Sequence, residues 1–131
     1  MIISEKDILM RSLVVFLQKL AEFIHKGINI ETKEKELEVF YEEMLSKKRD
    51  YFVNIEIENV LREFEGNDFN VKIRILAELF YTESIVQDGY TRKYFAEKSL
   101  YLFNCFNQNN TVYDINVFQK IDTLSQMIKN E

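Results

Sequence analysis

Not one of the 131 residues is proline, and only three are glycine, at Gly27, Gly66 and Gly89. Proline breaks helix interiors, and glycine most often ends helices, so this chain reads as a series of helices punctuated by single glycines. The spacing of apolar residues agrees. Leu9, Leu13, Phe16, Leu17, Leu20 and Ile24 recur at intervals of three and four, which predicts a first helix over 4–25 with Ser4 as its N-cap and Gly27 as its stop. A second helix is expected over 32–47, with Leu37, Phe40, Tyr41, Met44 and Leu45 facing inward. The segment 49–54 reads as an apolar corner of Tyr51, Phe52 and Val53, after which Asn54 is expected to cap a third helix over 55–64.

The turn Glu65–Asp68 leads to a fourth helix over 70–87. Ile73, Leu76, Ala77, Phe80 and Ser84 lie on one face of it, and Ile75, Leu79 and Val86 on the next. Two apolar faces require neighbours on two sides, so this helix is expected at the centre. A fifth helix over 91–107 and a sixth over 114–129 complete the pattern, the last capped by Thr111 or Asp114. Val53, Ile55 and Ile57 alternate as in a strand, but Asn54, Glu56 and Glu58 continue into a helical period. The expected fold is therefore all-α: about six antiparallel helices in one domain spanning 1–131, joined by short turns.

Charge and cysteine content narrow the function classes. Residues 31–65 hold eleven acids and six bases, which is the whole of the net charge of −5. Lys47, Lys48 and Arg49 form the one basic run and are expected as a solvated helix end. A nucleic-acid partner needs a broad basic footprint, so none is expected. With Cys105 alone there is no disulfide framework, and no apolar run is long enough to cross a membrane. The expectation is a cytoplasmic protein with no membrane partner.

Residues 71–128 resemble a tetratricopeptide-type helix pair followed by a closing helix. Leu76–Ala77 followed by Phe80 matches the large-small-large pattern of that repeat's first helix, and Ala96 with Leu100 and Phe103 matches the second. The whole chain also resembles a group of small bacterial helical proteins with no assigned activity, through Asp7-Ile8-Leu9-Met10-Arg11, Leu76-Ala77-Glu78-Leu79-Phe80 and the stretch 96–103. The resemblance implies paired helices in a bacterial cytoplasmic protein and carries no chemistry.

Candidate chemistry is sparse. Glu22 and His25, three apart, would share a helix face, as in carboxylate-bridged di-iron bundles, but His25 is the sole histidine and a second copy of the motif is impossible. Zinc needs clustered thiolates and imidazoles, which one His and one Cys eighty residues apart do not supply. Cys105 lies in an apolar helix, where a buried thiol is inert. No catalytic, cofactor-binding or metal-binding residue is assigned, and no cofactor is expected.

Surplus aromatic area remains. Tyr81, Tyr90, Tyr94 and Tyr101 are expected to line a groove for a protein or peptide partner, or for a second copy of the chain, since tyrosine offers contact area at low entropic cost. The leading expectation is a non-catalytic adaptor or scaffold domain. The alternative is a helical bundle that binds a small ligand or metal, with enzymatic activity.

Overall fold

The computed structural model describes residues 5–26, 29–66 and 68–130, with the backbone alone for 5–10 and 30. Seven helices form among them: α1 (Glu5–Ile24), α2 (Ile30–Leu45), α3 (Arg49–Asn54), α4 (Ile57–Glu63), α5 (Phe69–Val86), α6 (Gly89–Asn109) and α7 (Ile115–Lys129). The described residues contain no strand, and the chain is all-α. The expected cap at Ser4 and stop at Gly27 fall outside the described residues.

One helix more than expected appears because 49–54 is helical rather than an irregular corner. α3 buries Phe52 against Tyr41 and Phe64, with ring centroids 6.1 and 5.9 Å apart. It stops where Ile55 turns extended, at φ −78° and ψ 144°. Asn54 does not cap the next helix. Its side chain donates back to the Asp50 carbonyl at 2.9 Å, and α4 follows extended Glu56 with no side-chain cap. α2 starts two residues early because Asn29 accepts the Thr32 N–H at 2.9 Å. Asp114, rather than Thr111, caps α7 by accepting from Asn116 and Val117.

α5 is the centre, as its two apolar faces require. Ile73, Ile75, Leu76, Ala77, Leu79 and Phe80 are all wholly buried. α6 runs antiparallel to it: Ser99 donates to the Ala77 carbonyl at 2.8 Å, while Phe95 meets Phe80 at 5.4 Å. Small Ala77 and Ala96, both at zero exposure, let these axes approach closely. α2 is antiparallel to α5 on another side, where Tyr41 reaches Glu83 and Gln87 reaches Glu34. α7 is parallel to α5, because Arg74 meets Asp114 and Glu78, one turn further on, meets Lys120. α1 also packs on α5, and is antiparallel to α2 through Phe16–Phe40 and Lys26–Glu36. Three parallel helices, α1, α5 and α7, thus share one side of the molecule.

Candidate functional site

The centrality of α5 has an electrostatic consequence. A helix surrounded by neighbours must find partners for its own charges inside the protein. Arg74, Glu78 and Glu83 are each at most 4% exposed. Arg74 spans two carboxylates, donating to Glu78 at 2.9 Å and to Asp114 at 2.8 Å, and Lys120 closes the chain by donating to Glu78. Burial pushes the Asp114 carboxyl up, but the Arg74 hydrogen bond and charge, with the Val117 and Asn116 amides, outweigh it and hold Asp114 below the usual carboxylate range. Two cations and two carboxylates therefore fix α7 against α5.

The second set stands toward the C-terminal half of α5. Glu83 accepts from Arg49 Nε and Nη2 at 2.5 and 3.2 Å and from the Tyr41 hydroxyl at 3.1 Å. Burial, then the neighbouring Glu83 charge, pushes the Tyr41 phenol well up. Arg49 is thus not the solvated end of a basic run, because a buried carboxylate draws it inward. Lys47 does stay outside, bonded to Glu63 beside Tyr51.

Beside the Glu78 chain lies an open cleft of about 320 Å³ between α1, α5 and α7. Leu17, Leu20, Ala21, Ile24 and Ile85 form its apolar walls, and His25, Glu78, Tyr81, Thr82 and Lys120 supply its polar side. Much of that polarity is already spent. Thr82 donates to the Glu78 carbonyl at 2.9 Å, and both Glu78 oxygens accept from cations. Lys120 keeps further N–H donors and lies 5.4 Å from the Tyr81 ring centroid. Burial and the nearby Glu78 charge push the Tyr81 phenol up, against a smaller opposing effect of Thr123.

The four tyrosines do not share one groove. Tyr81 faces this cleft, with α1 and α7 as neighbours. Tyr94 points toward α3, where its hydroxyl donates to the Val53 carbonyl, and Lys98 covers its ring. Tyr101 stands one turn from Cys105 on α6, and Tyr90 is 95% exposed. Burial pushes the Cys105 thiol up, against a smaller opposing effect of the neighbouring Tyr101 hydroxyl. Glu22 and His25 also part company. Glu22 lines a trough toward α2, whereas His25, just beyond the last turn of α1, lines the cleft. Among the described residues no three His, Cys, Asp or Glu side chains gather as metal ligands, and no helix is long and apolar enough to cross a membrane.

Sequence reasoning does not reach Glu78, Thr82, Lys120 or the cleft they line. One signal is present: Glu78 and Glu83 sit in a helix with two apolar faces, which leaves an acid little solvent face to occupy. Compared with family models, curated proteins and solved structures, the chain matches none.

Proposed function

We propose that the chain is a non-catalytic interaction domain of the tetratricopeptide-like kind, acting in the bacterial cytoplasm, which holds a short segment of a partner protein in the cleft between α1, α5 and α7. The observation that carries this reading is the pairing of an apolar wall with a polar edge that includes the Lys120 ammonium. Leu17, Leu20, Ile24 and Ile85 supply area, while Lys120, Tyr81 and His25 stand at the edge. A peptide with apolar side chains and an acidic group matches that surface, because apolar burial supplies affinity and charge fixes register. The test is a photo-crosslinking residue placed at exposed Ala21 in the cleft, with a second at exposed Gln108 on α6 as control. Capture of one discrete protein from Ala21 alone is expected; equal labelling from both positions overturns the reading.

A second reading rests on the volume of the same cleft. About 320 Å³ lies at the lower end of ordinary small-molecule pockets, and its donors suit a small amphipathic anion. Native mass spectrometry of the purified protein distinguishes the two, since a bound metabolite adds a few hundred daltons, on the order of a drug-sized ligand, while a peptide partner leaves the mass of the isolated chain unchanged.

A further inference from the structure

α1 and α2 both lean on α5 and leave an open trough on their outer side. It consists of two adjoining hollows of about 320 and 280 Å³ that share Lys19 and Phe40. Its floor is aromatic: Phe40 meets Phe16 and Phe23 edge to face, at 5.9 and 6.0 Å. Val15 and Val39, half exposed at 50% and 52%, stand on the two banks. This trough shares no residue with the cleft between α1, α5 and α7, so each can be occupied without the other.

The banks carry opposite charge. The α1 bank presents Arg11, Lys19 and Lys26 with the single acid Glu22, whereas the α2 bank presents Glu36 and Glu43 and no base. Because the helices are antiparallel, Arg11 and Lys19 line the same hollow as Glu43, and Lys26 stands level with Glu36, which it meets at 3.8 Å. We propose that the trough is a two-fold interface with a second copy of this chain.

Symmetry and charge select that occupant. Two such faces can meet about a two-fold axis along the trough or across it. An axis across the trough lays cationic bank on cationic bank, which charge repulsion opposes. An axis along the trough lays each α1 on the partner's α2 at the same height, so each cationic bank meets an acidic one. The same patch supplies both halves of the complement, and Val15, Val39 and the phenylalanine floor are covered twice over.

Sedimentation equilibrium of the full chain tests this. The expected species has twice the 15.8 kDa chain mass and dissociates as salt is raised, because the rim pairs are solvent-exposed. Lys19→Glu and Glu43→Lys, each alone, weaken the dimer by roughly tenfold or more, since each sets like charges opposite one another. The double variant restores it. Circular dichroism confirms that all three remain helical, as expected for exposed positions. A wild-type chain that stays monomeric at about 100 µM, well above the Kd of an ordinary specific interface, leaves the trough to another occupant and overturns the proposal. A dimer indifferent to both single swaps overturns it equally.

Discussion

Glu83 and Arg49 form a two-pronged ion pair, at 2.5 and 3.2 Å, between the wholly buried carboxylate of α5 and the guanidinium at the start of α3. The pair joins a six-residue helix to the centre of the protein, and Tyr41 of α2 adds a third donor to the same carboxylate. Removing one partner leaves the other charge without compensation in a poorly solvated place. Glu83→Ala is expected to lose about 3–5 kcal/mol of stability, while Tyr41→Phe, which removes one neutral donor, loses about 1 kcal/mol. Urea unfolding of both variants checks the ranking, and equal losses would remove Glu83 from the centre of this network.

Acid should loosen α7. The Asp114 carboxyl is held below its ordinary value by Arg74 and the two capping amides, against burial. A group with a depressed folded pKa stabilises the fold fully above its unfolded value of about 3.9 and loses that contribution as pH falls through the lower folded value. Stability is therefore expected to fall below about pH 4. Asp114→Asn should flatten that part of the profile while lowering stability at pH 7. Urea midpoints measured from pH 7 to 2.5 test the direction, and an unchanged acid limb in the variant would assign the loss elsewhere.

Close packing of α5 and α6 gives a third outcome. Ala77 and Ala96 are wholly buried, and Ser99 donates to the carbonyl of Ala77. A larger side chain at either position must push two helix axes apart. Ala77→Leu is expected to cost about 1–3 kcal/mol despite greater hydrophobicity. Thermal unfolding reads this directly, and a rise in Tm would show that the helices have room to spare.

Tyr94 and Tyr101 should separate although both lie on α6 at similar exposure, 39% and 41%. Tyr94 bonds the Val53 carbonyl forty-one residues away, whereas Tyr101 stands beside Cys105 of its own helix. Tyr94→Phe is expected to lose about 0.5–1.5 kcal/mol, and Tyr101→Phe much less. Hydrogen exchange of α3 amides supplies a second readout, since only the Tyr94 change should loosen that helix.

Much of the fold is legible in the sequence because helical periodicity is a local property. The stripe Leu13, Phe16, Leu17, Leu20 and Ile24 needs no knowledge of what covers it, although the structure buries Phe23 more deeply than Ile24, and the two apolar faces of α5 are enough to put it at the centre. The segment 49–54 reads as a corner because six residues carry too little period to distinguish a short helix from an irregular turn. What decides it is Phe52 packing on Tyr41 and Phe64, and Arg49 reaching Glu83, contacts that span up to thirty-four residues.

The tyrosine groove fails for a related reason. Residue type and helical phase place Tyr94 and Tyr101 on α6, but the neighbour of each ring depends on where α3, α1 and α7 settle. Glu22 and His25 show the same limit at shorter range: three residues apart in sequence, they open onto different hollows because α2 lies on one side of α1 and α5 on the other.

The amino-acid order alone determined an all-α chain, most of its helix positions, and α5 as the buried axis, since each follows from spacing within a few turns. Only the tertiary structure decided which charges lie inside, that Glu78 and Glu83 each gather two or more donors, and where the open cleft and trough fall. Those features arise where residues from two or three separate helices converge, and the energy of a buried charge is set by partners that no local pattern can name.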